Sequence, residues 1–353
     1  MTRVLLSSVL LAVFSLALGG CVPPSSPGPG GNTQTGNQEE PDHHDRDNDR
    51  EFQDWAWVEV EDTKCGRGTP AGLGLKQGSD TSRLMIFFAG GGACWDGVSC
   101  HIVNSAVNIE RNYGEEHFRQ ELRPLLAHDL LDQQDGPFGD IPMAYFPYCT
   151  GDFHVGDAVG SYDAFNPNRL VHHHGARNTE NYLALLAEGY PEVEEVFVVG
   201  VSAGGFGALM NFHRLQAAFP GIPIHILSDG SPLIQPRDGR WGAFKRAWNF
   251  ELPPGCEDCD TQFSAFATHA INGSQEGRIA LLTYEEDQVV GLYFAYQSGL
   301  RTATMNLVND VYGPERVFLK SGTDHVMLQY YPGLESNEGQ RLEDFVWAWS
   351  QGE

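Results

Sequence analysis

The sequence predicts an α/β protein with a mainly parallel sheet flanked by helices. Continuous runs of apolar residues, many of them β-branched or aromatic, indicate buried strands. Stretches with helical periodicity lie between several of these runs, and this alternation is typical of βαβ units. Neither an internal repeat nor a linker follows residue 50. We therefore expect a single folded domain over residues 51–353.

The predicted elements are short and are separated by turn signals. The predicted strands are Trp55–Glu61, Leu84–Phe88, Ile141–Phe146, Val196–Val199, Ile222–Leu227, Arg278–Tyr284 and Arg316–Lys320. The predicted helices are Glu115–Leu131, Ala176–Ala187, Phe206–Leu215 and Leu342–Trp349. Because apolar and acidic residues alternate in the first strand, we expect it at an edge of the sheet. A turn is predicted at Thr69–Gly74.

Length and charge limit the classes of partner. A chain of 353 residues can bury one large core or two small ones. Its 22 basic and 47 acidic residues give a net charge of −25, which argues against nucleic acid or anionic lipid as a partner. The same charge weakly disfavours a strongly anionic substrate.

The first 50 residues have the pattern of an export signal and a tether. Arg3 precedes the apolar run Val4–Leu18, which is too short to span a bilayer as a settled helix. Small residues then lead to Cys21, as in a bacterial lipobox, so residues 1–20 are predicted to be a lipoprotein signal peptide and Cys21 to be lipidated. A plain secretory signal is the alternative. By resemblance to lipoprotein sorting, the residue after the cysteine favours the outer membrane.

Residues 21–50 are predicted to be a disordered tether between a lipid anchor and the folded domain. They are rich in Pro, Ser, Gly, Asn and Gln and then in charged residues, and such a composition cannot bury a core. Stable membrane attachment needs more than one acyl chain, which the lipoprotein modification would supply. The expected location is the cell envelope.

The strongest motif follows the apolar strand Val196–Val199. Residues Gly200–Gly204 read Gly-Val-Ser-Ala-Gly and match G-x-S-x-G, in which a serine occupies a sharp turn between a strand and a helix. Glycine on each side removes the clash that side chains would cause in such a turn. Because strand, turn and helix occur in the required order, we predict Ser202 as a nucleophile in an α/β-hydrolase-like sheet, rather than an ordinary glycine-rich turn.

A second glycine-rich segment follows another buried strand. Gly90–Gly92 come directly after Leu84–Phe88. Three glycines let the backbone turn and present N–H groups at close range, which is how such a strand end supplies half of an oxyanion hole. The segment gains weight from the serine motif and is weak evidence without it.

A serine nucleophile needs a base, and histidine is the usual one. The histidines that follow Ser202 are His213, His225, His269 and His325. His213 lies on the helix that leaves the serine turn, and His225 lies inside a strand. His269 precedes the strand expected to carry the acid, which breaks the chain order Ser, acid, His. We therefore predict His325, on a loop just after a strand, as the base.

The acid is expected on a loop between the serine and the histidine. Asp287 follows the strand Arg278–Tyr284, where a carboxylate can orient the imidazole and stabilise its charged form. The competing carboxylates are Glu285, Glu286, Asp324 and Asp229. Among them Asp229 is the second choice, although capping a turn is its simpler role.

No metal site and no cofactor is predicted. His172–His174 are consecutive, and consecutive side chains in an extended stretch point to opposite faces, so they do not converge on one ion. Cys256 and Cys259 have the spacing of a zinc knuckle, but no second C-x-x-C completes four ligands. One of the three histidines, and His154, are candidates for lining a pocket.

Six cysteines remain after the lipidation candidate is set aside. They are Cys65, Cys94, Cys100, Cys149, Cys256 and Cys259. Export and an even number favour disulfides, although six cysteines allow 15 pairings. Proximity along the chain suggests that Cys94 pairs with Cys100 and Cys256 with Cys259, which leaves Cys65 with Cys149.

Taken together, several segments resemble the pectin acetylesterase/Notum family of carboxylic ester hydrolases, from about Cys65 to His325. They are Gly90–Trp95 with Cys100, Tyr148–Asp152, Gly200–Gly205, Ser228–Gly230, Asp287 and His325. The resemblance implies Ser202, Asp287 and His325 as nucleophile, acid and base, and the backbone of Gly91, Gly92 and Ala203 as oxyanion donors. The chain departs from plant members at Ala93, where they carry Trp, and at His174, where they carry Arg. These positions lie near the pocket, so the resemblance extends to the chemistry rather than to pectin.

The expected function is removal of acetyl or other short acyl groups from a polysaccharide through an acyl-enzyme. A Notum-like deacylase of lipid-modified protein is the alternative enzyme, and it requires a deep apolar pocket. A catalytically dead surface protein that binds carbohydrate is an alternative from another class. The intact set of three side chains argues against it.

Overall fold

A mixed sheet of eight strands is the central element of the fold. The computed structural model describes residues 54–127, 131, 136–163, 165–329 and 333–353. In chain order the strands are β1 (Trp55–Lys64), β2 (Pro70–Lys76), β3 (Arg83–Phe88), β4 (Met143–Phe146), β5 (Ala158–Ser161), β6 (Leu170–His173), β7 (Glu195–Val201), β8 (Ile224–Asp229), β9 (Ile279–Tyr284) and β10 (Val317–Lys320).

The order of the central sheet is β1-β2-β4-β3-β7-β8-β9-β10. The pairs β1–β2 and β2–β4 are antiparallel, and every other pair in the sheet is parallel. Strands β5 and β6 form a separate antiparallel pair. The predicted α/β class with a mainly parallel sheet is confirmed, and the first strand lies at an edge as expected.

Helices connect the strands. They are α1 (Glu115–Ala127), α2 (Gly175–Gly189), α3 (Ala203–Met210), α4 (Phe212–Ala218), α5 (Arg240–Trp248), α6 (Ala265–Gly273), α7 (Gln288–Tyr293), α8 (Leu300–Leu307) and α9 (Leu342–Gln351). Shorter helical turns cover Val98–Ile102, Glu257–Asp260, Val308–Tyr312 and Pro314–Arg316. Helices α5 to α8 were not predicted from the sequence, because they are short and lie among turn residues.

The predicted turn at Thr69–Gly74 is wrong, because residues from Pro70 onward form strand β2. Glycines in this segment serve close packing rather than turning. A Cβ at Gly74 would lie 2.2 Å from the ring of Phe118, and one at Gly72 would lie 2.3 Å from the carbonyl oxygen of Val58. Strand β2 therefore packs closely against the ring of Phe118, which any side chain larger than that of glycine at position 74 would displace.

The helix predicted at Phe206–Leu215 is divided in two. It begins earlier, at Ala203, and is interrupted at Asn211, between α3 and α4. The buried Asn211 amide donates to the carbonyl oxygens of Gly207 and His154. A buried side-chain amide that bonds to the helix backbone in this way competes with regular helical hydrogen bonding.

The hydrophobic core lies on both faces of the sheet. Three disulfides also cross-link the described residues. The predicted strand Val196–Val199 forms the centre of β7, and its side chains are fully buried. The disulfides are Cys65–Cys149, Cys94–Cys100 and Cys256–Cys259, which are the pairs that proximity suggests. Cys65–Cys149 spans 84 residues and ties the loop after β1 to the loop after β4.

The described residues belong to one compact unit. The predicted signal peptide, Cys21 and the tether of residues 21–50 lie outside the described residues. Within the described part of the chain, no helix is long and apolar enough to cross a membrane.

Candidate active site

The candidate site lies at the carboxyl ends of the parallel strands, where register brings distant segments together. Gly200 on β7 is paired with Phe88 on β3, and Val201 with Asp229 on β8. Ligand sites in open α/β sheets lie at this edge of the sheet, because the loops that follow the strands converge there.

Ser202 occupies a strained turn directly after β7. Its φ is 52° and its ψ is −123°, a conformation rarely adopted by residues other than glycine. A Cβ at Gly200 would lie 2.4 Å from the carbonyl oxygen of Gly204, and a Cβ at Gly204 would lie 2.0 Å from that of Phe88. Glycine is therefore required on both sides of the serine, as the motif predicts.

The three side chains predicted for catalysis lie together. His325 Nε2 is 2.7 Å from Ser202 Oγ, and His325 Nδ1 is 2.7 Å from Asp287 Oδ2. The Asp287 side chain is 1% exposed and that of His325 is 20% exposed. The other oxygen of Asp287 accepts the backbone N–H of Val290 and caps helix α7. Asp287 is thus fixed by a helix while it holds the imidazole.

The charges around His325 favour its protonated form. Burial lowers its pKa, but the charge of Asp287, the hydrogen bond to Asp287 and the charge of Asp229 outweigh burial and raise the pKa above the ordinary value for histidine. With a proton on Nδ1 shared with Asp287, Nε2 is left to accept the hydroxyl of Ser202. The arrangement can remove a proton from the serine and stabilise the resulting imidazolium.

The glycine-rich loop after β3 is held beside the serine. Gly92 lines the same cavity as Ser202 and Ala203. Its φ is +76°, and a Cβ there would lie 2.2 Å from the carbonyl oxygen of Ser105. The Gly92 carbonyl accepts the hydroxyl of Tyr148 at 2.7 Å. Within the described residues, the N–H groups of Gly91 and Gly92 donate to no protein acceptor.

A small cavity adjoins Ser202. Its volume is about 20 Å³, which is room for about one water-sized group. The lining residues are Gly92, Phe153, Ser202, Ala203, Phe206, Val289, Val290, Tyr293, Phe294 and His325. The rings of Phe153 and Phe206 stack with centroids 4.8 Å apart, and Phe294 packs on Phe206 at 5.3 Å. Phe153, Phe206 and Phe294 thus form an aromatic wall of the cavity.

Sequence reasoning missed the aromatic wall of this cavity. Phe153, Phe206 and Phe294 lie on three separate segments of the chain, and no local motif marks them. Their shared position arises only when the loop after β4, helix α3 and the end of helix α7 pack together.

The alternative acids occupy other positions. Glu285 forms an ion pair with Arg301 at 3.1 Å, and Asp324 is exposed. Asp229 is fully buried and accepts backbone N–H groups of Met327 and Leu328. None of these three carboxylates is hydrogen-bonded to the His325 ring among the described contacts.

The histidine candidates for the pocket are structural in this fold. Nε2 of the buried His154 bonds the carbonyl of Ala89 at 2.9 Å, and burial lowers its pKa to about 4. The buried His173 bonds the carbonyl of Thr150 and the hydroxyl of Tyr162. Neither lines the cavity beside Ser202.

One cluster in the described part of the chain has the spacing of a metal site. Cys94, Cys100 and His173 place potential ligand atoms within 4.8 Å of one another. Both sulfurs are joined in a disulfide, however, so they are not thiolate ligands.

Comparison with known proteins decides the family. A sequence model described as pectinacetylesterase matches residues 50–244, more than half of the chain. The chain belongs to the pectinacetylesterase family. This confirms the family indicated by the sequence motifs.

Relatives of this pectinacetylesterase-family chain include Notum proteins. It is 22% identical over 285 residues to the palmitoleoyl-protein carboxylesterase notum2 of Xenopus laevis. The aligned region covers 73% of this chain and 56% of that protein. It is 26% identical over 173 residues to the palmitoleoyl-protein carboxylesterase NOTUM of Homo sapiens, covering 47% and 33%. The chain thus spans about half or less of the length of these relatives.

The fold has a solved counterpart. The structure of the Wnt deacylase Notum from Drosophila superposes with a TM-score of 0.65 at 15% identity, and it covers 84% of this chain and 92% of that one. A structural similarity at this sequence identity shows the fold of this chain and says nothing about its substrate.

We predict that Asp287→Asn lowers the pKa of His325 by at least about one unit, because it removes the charge that opposes burial. NMR titration of labelled histidines, with the His325 signal assigned by its loss in a His325 variant, measures this pKa. The exposed neighbour Asp324→Asn is the matched control and is expected to leave the pKa nearly unchanged. Equal pKa values in both variants would contradict the assignment of Asp287 as the orienting carboxylate.

Proposed function

We propose that this protein is a serine carboxylic ester hydrolase that removes acetyl or similarly short acyl groups. Ser202 is the nucleophile, His325 the general base and Asp287 the carboxylate that orients it. The 2.7 Å contacts on both sides of the imidazole support these roles. The size of the cavity beside Ser202 carries the choice of a short acyl group.

The proposed reaction proceeds through an acyl-enzyme. His325 Nε2 takes the proton of Ser202 Oγ as Oγ forms a bond to the ester carbonyl carbon. The carbon–oxygen bond to the leaving alcohol then breaks, and the alcohol receives the proton from His325. Water attacks the acyl-serine with His325 again as base, which releases the carboxylic acid and restores Ser202.

The negative oxygen formed in each addition step needs donors in place. We assign this role to the backbone N–H groups of Gly91, Gly92 and Ala203. Ala203 begins helix α3, where the first N–H groups have no partner within the helix. One donor of this kind is typically worth about 10²–10³ in rate.

The cavity volume separates short from long acyl groups. About 20 Å³ accommodates a group the size of the acetyl methyl. Relatives of the chain are named for action on palmitoleoyl-protein, and a palmitoleoyl chain is much larger than a cavity of this volume. We therefore place the alternative, a deacylase of lipid-modified protein, second.

The alcohol part of the ester is proposed to be a polysaccharide hydroxyl. The family description, pectinacetylesterase, supports an acetylated polysaccharide. The net charge of −25 favours a sugar polymer less anionic than pectin. The departures at Ala93 and His174 do not bear on this choice, because neither residue lines the cavity beside Ser202.

We also propose that the enzyme works outside the cytoplasm on a lipid anchor. Residues 1–20 would act as a lipoprotein signal peptide, Cys21 would carry the lipid, residues 21–50 would form the tether, and residues 51–353 would form the catalytic domain. The three disulfides fit an oxidising compartment. The outer membrane is the proposed destination.

Purified protein is expected to hydrolyse p-nitrophenyl acetate, with kcat/KM falling as the acyl chain lengthens beyond butyrate. The fall follows from the small volume of the cavity that Phe153 and Phe294 help to line. Ser202→Ala is expected to lower kcat by about 10⁴-fold or more. Equal rates for wild type and Ser202→Ala would refute the hydrolase and favour a carbohydrate-binding protein. A profile that rises with chain length would favour the deacylase.

Phe153→Ala is expected to shift the preference toward longer acyl groups. The Phe153 ring forms one wall of the cavity, and its removal opens space toward Phe206 and Trp248. Two more buried methylenes contribute about 1.6 kcal/mol, so the butyrate-to-acetate ratio of kcat/KM should rise about tenfold or more.

The matched control is Phe118→Ala, which also removes a fully buried ring. Phe118 packs against Trp55 and Tyr145, not against the cavity. Both substitutions are expected to lower stability by about 3–5 kcal/mol. A profile that changes equally in both variants would mean that loosening of the core, and not the wall at Phe153, sets the preference.

A further inference from the structure

A second buried carboxylate lies beneath the histidine loop and has no role in the steps above. The Asp229 side chain is fully buried at the end of β8. Its Oδ2 accepts the backbone N–H groups of Met327 at 2.8 Å and Leu328 at 2.9 Å, and Oδ1 accepts that of Met327 at 3.0 Å. These residues follow His325 by two and three positions, so the carboxylate holds the loop that carries the imidazole.

The backbone of the same residue holds the nucleophile. The Asp229 carbonyl accepts the N–H of Ser202 at 2.8 Å. The Ser231 hydroxyl donates to the Ser202 carbonyl at 2.6 Å. A Cβ on Gly230 would lie 2.7 Å from the carbonyl oxygen of His325, so the segment packs directly against the histidine. One short segment thus contacts both reacting partners.

The negative charge of Asp229 interacts favourably with the charge of His325. Among the described residues, Asp229 forms no ion pair with a lysine or arginine. Burial raises the pKa of Asp229 to about 7; the N–H groups of Leu328 and Met327 and the charge of His325 oppose this rise, and Asp287 adds to it. The groups that face His325 electrostatically are therefore Asp287 and Asp229.

We propose that Asp229 is a positioning residue with two separable effects on the reaction. Its two oxygens dock the loop that carries His325 beside Ser202, and its negative charge stabilises the imidazolium that forms when His325 takes the serine proton. The proposal rests on the hydrolase function proposed above and adds a second carboxylate to it.

Asp229→Asn separates the two effects. An amide oxygen at the place of Oδ2 still accepts both N–H groups, whereas the charge is gone. Because the neutral imidazole is the active base, kcat/KM rises with pH through the pKa of His325. Asp229 carries its negative charge above its own pKa of about 7, and loss of that charge lowers the pKa of His325. The acid limb should therefore move to lower pH by up to about one unit, with a loss of up to about tenfold in kcat. KM is expected to stay nearly unchanged.

Two further variants complete the test in the full-length protein with p-nitrophenyl acetate. Asp229→Ala removes charge and anchor, and we expect about a 10²-fold loss in kcat. Asp229→Glu restores the charge, so its acid limb should return to the wild-type pH even if kcat is low. The midpoint of the limb is independent of how much protein is folded at pH values where the folded fraction, followed by circular dichroism, is constant, and the comparison is made over that range.

The outcomes distinguish failure of the proposed role of Asp229 from failure of the proposed hydrolase function. Acid limbs that coincide in wild type, Asp229→Asn and Asp229→Glu would overturn the role of the charge. An Asp229→Ala variant as active as Asp229→Asn would overturn the anchoring role. Glu121→Gln removes a partly buried carboxylate that bonds Tyr113 and is expected to keep the wild-type profile. If wild-type protein lacks activity, the proposed function fails instead.

Discussion

The contact between His325 and Ser202 depends on the parallel sheet, because the two residues are 123 positions apart in the chain. Strand β7 delivers the serine, and the loop after β10 delivers the histidine. Parallel strands end at the same edge, so the loops that follow them converge without any further device. The chemistry proposed here follows from that convergence.

The serine turn is strained, and the surrounding structure fixes it. The positive φ of Ser202 persists because the backbone of β8 and the hydroxyl of Ser231 hold both sides of the residue. Strained residues of this kind survive only where their neighbours over-determine them. The Ser202 side chain is therefore held in one geometry before any substrate binds.

Local patterns in the sequence identified the elements that are defined by local rules. An apolar run followed by Gly-x-Ser-x-Gly specifies a strand and a turn, so Ser202 could be placed from the sequence. His325 and Asp287 could be chosen because they follow strands in the order that this architecture requires. These residues were found through spacing and chain order, which the sequence contains directly.

Features that depend on packing were not accessible in this way. Gly72 and Gly74 were interpreted as a turn, although they make room for Val58 and Phe118 within strand β2. The wall formed by Phe153 and Phe294 joins segments far apart in the chain, so neither the existence nor the size of the cavity has a local signature. Asp229 was considered as a catalytic acid, and only the fold assigns its oxygens to Met327 and Leu328.

We propose that the sheet makes Ser202 a nucleophile by joining it to His325. Reaction with diethyl p-nitrophenyl phosphate, followed by mass spectrometry of the peptides, tests this claim without assuming any substrate. We expect one diethylphosphoryl group on Ser202 in the wild type and almost none in His325→Ala. Labelling at another residue, or equal labelling of Ser202 in both proteins, would contradict it.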